Sequence, residues 1–206
     1  MDFFDVVTTQ RAMRRLKPDS IPEPSLRQIM DAAVCAPSGG NRQGWRFVVV
    51  RDAAKRARLG ELYREGWGEL SKLPYYAGVA KEPPGSPARK MLDSAAHLAE
   101  HMGEAPVIIL ACITLEPGVK PTVTTGASIY PAVQNLMLTA RALGIGSCLT
   151  TIHRYRDAQV KELLGIPLEV ETVALIPLGY PLGKFGRPPR RPVSEVTFAD
   201  TWSRPF

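Results

Sequence analysis

Apolar positions recur along this chain with two periods, and the switches between them mark out its elements. Leu26, Ile29, Met30 and Ala33 return at helical spacing and stop before Pro37, which predicts a helix from Ser25 onward. Residues 2–9 form a short amphipathic helix candidate ahead of it, with Pro18, Pro22 and Pro24 marking the connection. After a loop at 38–44, Trp45–Val50 is dense in aromatic and β-branched residues and reads as a buried strand. A helix is expected at 55–70, then an irregular excursion at 71–87 with four prolines and two tyrosines, then a helix at 88–102.

Val107–Ile113 is a continuous apolar strand between Pro106 and a Glu116-Pro117-Gly118 turn. Residues 125–143 carry Ile129, Val133, Leu136, Met137 and Ala140 on one face and further apolar residues on others, which predicts a deeply buried helix. A strand at 145–151, a helix at 157–164 capped by Gly165, and a strand at 171–178 complete the series. From Pro181 the chain becomes a basic, proline-rich tail. Strands and helices alternate without strict βαβ regularity, so a three-layer α+β domain is expected, its mixed sheet packed around a central helix.

Bulk properties narrow the partners. The 206 residues, 45% apolar and 22% charged, suit a single globular domain over 1–206. The longest apolar run, 106–113, falls far short of the roughly 18 residues a membrane helix needs, and no basic region precedes the opening MDFFDVV. Cys35, Cys112 and Cys148 are too few for a disulfide framework and none stand at metal-ligand spacing, so a cytoplasmic, metal-free protein is expected. Much of the excess positive charge of +6 lies in two clusters, Arg11, Arg14 and Arg15 near the start and Arg187, Arg190 and Arg191 near the end. Neither is interleaved with aromatics or set on a long basic helix, which argues against nucleic acid.

The usual catalytic constellations are absent from the sequence: no phosphate-binding Gly-x-x-x-x-Gly-Lys loop, no nucleophile elbow, no His-Glu-x-x-His, and Gly144-Ile145-Gly146 lacks a third glycine. His97 and His101 stand four apart on a predicted helix, yet no third ligand motif accompanies them. An enzyme without an evident acid, base or nucleophile borrows its chemistry from a cofactor. Two segments offer to hold one. Gln10-Arg11-Ala12-Met13-Arg14-Arg15 supplies planar bidentate donors for a phosphate or a reduced ring, though an arginine triplet is also what a solvated loop carries. Ala36-Pro37-Ser38-Gly39-Gly40-Asn41 lets backbone approach a flat ligand, with hydrogen bonds from Ser38 and Asn41, though it would serve equally as a tight turn.

Taken together, Arg-x-x-Arg-Arg-x-Lys-Pro-Asp, a helix, and Ala-Pro-Ser-Gly-Gly-Asn-x-Gln-x-Trp-x-Phe-Val-Val-Val resemble the nitroreductase family, whose members depend on flavin mononucleotide (FMN). The resemblance continues through Gly126-Ala127-Ser128, Gln134-Asn135-Leu136, Leu143-Gly144-Ile145-Gly146 and Ile176-Pro177-Leu178-Gly179-Tyr180-Pro181 to Arg190-Arg191-Pro192. It covers the chain except about 62–89, a variable excursion or lid; 181–206 matches the family's extended tail.

The resemblance implies a mostly antiparallel sheet in an intertwined homodimer, with hydride passed from NADH or NADPH through FMN to a small acceptor such as a nitroaromatic or quinone, by a ping-pong order. Arg11, Ala12 and Arg14, with Arg15 adjacent, would contact the flavin's phosphate, ribityl chain or pyrimidine edge. Ser38, Gly39 and Asn41 would line the ring or ribityl chain. Leu149, Thr150 and Thr151 would bring backbone N–H groups to the redox-active ring nitrogen, and Arg190 or Arg191 would bind phosphate. Gln10, Ala12 and Gly44 depart from the family pattern, the first two at the phosphate site. Reductive dehalogenation, other flavin chemistry on the same fold, and a flavin-binding protein without turnover are the alternatives.

Overall fold

The computed structural model describes residues 1–116 and 118–206, so Pro117 and the turn expected around it lie outside the described residues. The described residues form a four-stranded sheet in the order β1 (Trp45–Val50), β2 (Val107–Ile113), β4 (Glu171–Gly179), β3 (Gly146–Ser147), with every pairing antiparallel. Among the described residues, a bridge between Ala12 and Ser147 adds one parallel contact. Side chains on a strand alternate between faces, and β2 uses both: Val107, Ile109, Ala111 and Ile113 enter one core cluster, Ile108, Leu110 and Cys112 the other.

On the first face lie α2 (Glu23–Ala33) and α6 (Val123–Ala142), which bury Leu26, Ile29, Ile129, Val133 and Leu136. On the second lie α3 (Ala53–Leu70), α5 (Pro87–His101) and α7 (Asp157–Leu164), contributing Leu59, Leu62, Leu98 and Val160. Each such side chain, fully withdrawn from water, is worth about 1.5–3 kcal/mol, which fixes three layers around the sheet. The helix starts follow local chemistry. Asp2 caps α1 (Phe3–Thr9) through Phe4 and Asp5 N–H, Asp52 caps α3 through Lys55, Ser86 caps α5 through Arg89, and Thr122 with Thr125 forms a reciprocal box on α6.

Three expectations need correction. Trp45–Val50 is an edge strand with Arg46 and Val49 exposed, because the sheet order leaves one of its sides unpaired. The excursion is not wholly irregular: Pro74 opens a short helix, α4 (Pro74–Val79). Residues 145–151 do not make a continuous strand, since pairing is confined to Gly146–Ser147 and resumes only as a bridge between Thr150 and Leu175. The resulting interruption exposes Leu149 and sets up the site.

Candidate functional site

The N-terminal arginine segment runs beside β3. Ala12 bridges Ser147, Met13 N–H donates to Ser147 O at 2.8 Å, and Leu16 bridges Pro181. Gly146 makes this approach possible: a Cβ there would stand 2.9 Å from Met13 Cβ and 3.1 Å from Leu16 Cδ2. Gly146→Ala is therefore expected to destabilise the fold by at least about 1 kcal/mol, lowering the melting temperature by about 2–4 °C in a thermal melt.

Arg14 is half-buried beside the Cys148 thiol, while Arg11 and Arg15 are exposed. Arg15 Nη1 lies 3.2 Å from His97 Nδ1; a guanidinium can only donate, so this ring nitrogen accepts. Burial, then the charge of Arg15 and of neighbouring His101, holds His97 below the usual histidine range. His101 turns instead to Glu104, at 2.9 Å, so the two histidines have different partners. Among the described residues Arg11, Arg14, Arg15, Arg187, Arg190 and Arg191 enter no ion pair, although ion pairs are plentiful elsewhere on the surface, from Arg42–Glu116 to Arg204–Asp200. Arg190 donates only to Pro189 O, and Arg191 is exposed.

Next to this arginine group comes the segment after β3. Thr150 is locked to β4 in both directions, its N–H donating to Leu175 O at 3.0 Å and its carbonyl accepting from Leu175 N–H at 2.8 Å. Its amide is consequently unavailable to a ligand. Among the described residues the amides of Leu149 and Thr151, by contrast, enter no such backbone bond. Behind the segment stands Tyr63 of α3, 2% exposed, its hydroxyl 2.8 Å from Thr150 Oγ1. Burial pushes the Tyr63 phenol far above its usual value, and burial likewise raises the Cys148 thiol against the opposing pull of Arg14. Both groups stay neutral.

The glycine turn lies elsewhere. Gly39 N–H donates to Ser128 Oγ at 3.0 Å, Ser38 Oγ accepts from Gln43 N–H at 3.0 Å, and Asn41 Oδ1 accepts from Gln43 Nε2 at 3.1 Å. Gly40 and Asn41 adopt left-handed backbone with φ of 58° and 53°, which glycine and asparagine tolerate best. Ser38 and Gly39 border an open cavity of about 740 Å³ that also touches Thr125 and Ser128. The arginine segment, by contrast, meets the far half of α6, where Gln10 reaches Met137 and Thr9 reaches Arg141. At 1.5 Å per residue the two groups stand about 14 to 20 Å apart along α6. The site residues expected from the sequence thus fall into two clusters along α6, and the tail that carries Arg190 and Arg191 starts beside the arginine segment, Leu182 N–H donating to Arg15 O.

Tyr63, Cys148 and His97 join the arginine cluster without having been singled out as its members. Tyr63 and His97 sit on helices whose spacing looked like ordinary core and solvent faces, and only packing brings them in. Cys148 could have been suspected from its place immediately before Leu149.

Residues 7–180 match the model of the nitroreductase family. The chain belongs to the nitroreductase family. Among its relatives is the NADH dehydrogenase of Thermus thermophilus, 30% identical over 91% of this chain and 90% of that protein. The iodotyrosine deiodinase of Thermotoga neapolitana is 26% identical over 86% of this chain and 88% of its own length. A solved iodotyrosine deiodinase structure, bound to FMN and 3-iodo-L-tyrosine, shares the fold with a TM-score of 0.72 at 23% identity, covering 93% of this chain and 96% of that one.

Proposed function

We propose that this nitroreductase-family chain is an FMN-dependent oxidoreductase taking electrons from NADH or NADPH and reducing a small acceptor such as a nitroaromatic or quinone. The observation that supports it best is the cluster of Arg11, Arg14 and Arg15, without acidic partners among the described residues, beside the unpaired amides of Leu149 and Thr151. Unneutralised guanidinium groups beside free amides are the donors that a phosphate dianion and an electron-accepting ring require, so these residues fit the group. Bound FMN would supply the hydride chemistry, with donor and acceptor taking turns on one exposed face. The chain's own part is to bind and polarise.

Arg11, with Arg190 or Arg191, would hold phosphate, and Ala12 would contribute backbone. Arg14, half-buried, would stabilise negative charge at the pyrimidine edge. Thr151 or Leu149 would offer N–H to the redox-active nitrogen, the amide of Thr150 being committed to Leu175. Ser38, Gly39 and Asn41 lie too far along α6 to reach the same ring, and this separation supports a homodimer in which they serve the partner's flavin. Unburied apolar surface agrees: Val123 is 95% exposed beside an apolar groove of about 570 Å³, and Trp202 on the tail is 86% exposed. No described helix is long and apolar enough to cross a membrane. Light scattering is expected to give twice the chain mass of 22.6 kDa; a monomer overturns the shared site.

The test of the function is the visible spectrum of the purified protein under anaerobic addition of NADH, then NADPH. Flavin bands that bleach and return on adding a nitroaromatic or quinone are the expected result. A yellow protein that neither nucleotide reduces would instead be a flavin-binding protein without turnover, and a colourless one that refuses FMN overturns the reading. The deiodinase relative and the aromatic group Trp67, Tyr75 and Tyr76 on the excursion favour a second reading, reductive dehalogenation. Iodide release from 3-iodotyrosine by the dithionite-reduced protein would decide for it.

A further inference from the structure

We propose that Tyr63 is a positioning residue for the flavin-facing segment 149–151: its buried hydroxyl, bonded to Thr150 Oγ1, holds the unpaired Leu149 and Thr151 amides in place. The inference rests on the FMN reading above. Thr150 is held to β4 by its backbone alone, as an isolated bridge flanked by unpaired residues, so that contact fixes its position but leaves the bridge free to rock. A second anchor on the other side is what prevents this. Without Tyr63, the Thr150 hydroxyl retains only a long contact from Ile152 N–H at 3.4 Å.

The anchor is firm because α3 meets the following segment at successive points. One turn beyond Tyr63, Gly66 lets the helix approach so closely that a Cβ would stand 2.8 Å from Ile152 O. Further on, Arg156 is gripped by Glu65 at 2.8 Å and Glu69 at 2.6 Å. Residues 63–69 of α3 therefore form a template against which 150–156 is laid. Tyr63 itself cannot drift, being 2% exposed and packed with Leu59, Leu62 and Leu98. Burial also keeps its phenol neutral.

The test uses the full chain with Tyr63→Phe, Thr150→Val, their double variant, and Thr150→Ser as the hydroxyl-preserving control. Removing one neutral hydrogen bond that orders the site is expected to raise the FMN dissociation constant about 2- to 10-fold. The midpoint potential of the bound flavin should fall, because amides aimed loosely polarise the ring less. Amide exchange at 149–151 in the apoprotein should quicken. Thr150→Ser should behave as wild type, and the double variant no worse than either single one, since both remove the same bond. Should Tyr63→Phe not fold, Thr150→Val against Thr150→Ser carries the comparison. A lowered melting temperature with FMN affinity and potential unchanged, or effects that add in the double variant, overturns the positioning role while leaving the FMN reading intact. A wild-type protein that binds no FMN overturns both.

Discussion

Arg14→Ala is expected to raise the dissociation constant for FMN by about 10- to 150-fold, the equivalent of about 1.5–3 kcal/mol for a hydrogen bond to a charged group. Arg14 differs from its neighbours in being half-buried, wedged against Cys148 and close to Tyr63, both neutral. A guanidinium so placed, with no carboxylate to offset its desolvation, is a liability to the empty protein. Removing it should therefore leave the apoprotein's melting temperature unchanged or raised while ligand binding collapses, a separation that a merely structural arginine could not produce. Arg14→Lys should recover only part of the affinity, because a point charge does not replace the planar fork. Titration of the apoprotein with FMN, followed by flavin fluorescence, and a measurement of the flavin midpoint potential check this. Unchanged affinity and potential in Arg14→Ala would remove Arg14 from the ring.

How legible this was in the sequence depends on which interactions carried the signal. Val107–Ile113 and the long helix through Val133 and Leu136 stand out because burial on more than one face leaves a dense run of apolar residues. Trp45–Val50 has the same local composition but an edge position, and position in the sheet is a property of pairing that no window of sequence contains. Gly146 and Ser147 pair, yet Leu149 does not, because Thr150 is drawn to Leu175 from across the sheet. The arginines and the Ser38-Gly39-Gly40-Asn41 turn were visible as motifs since their chemistry is local. What motif reading missed is that α6 holds them apart, and that a tyrosine on α3 with ordinary core periodicity meets Thr150. Both facts are tertiary.

A third feature invisible in the sequence sets the protein's response to acid. His153 is 1% exposed, and its Nε2 lies 3.2 Å from Thr172 Oγ1. The single hydroxyl hydrogen of Thr172 is donated to Asp157 Oδ1, so Thr172 must accept from His153, which places the imidazole proton on Nε2. Nδ1 is left as a bare buried acceptor with no partner. Burial pulls the His153 pKa down to about 4, with Asp157 opposing the shift and Arg154 reinforcing it. The unfolded chain, with an ordinary histidine near 6.5, takes up its proton first as the pH falls, so acid favours unfolding between about 6.5 and 4. The loss should approach about 3 kcal/mol by pH 4 and then level off, because both states are protonated below that. Asp157 adds a second loss at lower pH. Burial alone would raise its pKa, but hydrogen bonds from Thr172 and Lys161 and the charge of Lys161 hold it below the usual carboxylate value. Its stabilisation is therefore present above that value and disappears below it. His153→Gln keeps an N–H donor for Thr172 and cannot titrate, so urea unfolding across pH 7 to 4 should show the wild type losing stability more steeply than the variant, whose remaining loss includes that of His97. Parallel curves would mean that His153 is protonated in the folded protein as readily as in the unfolded one, and that another group governs the acid response.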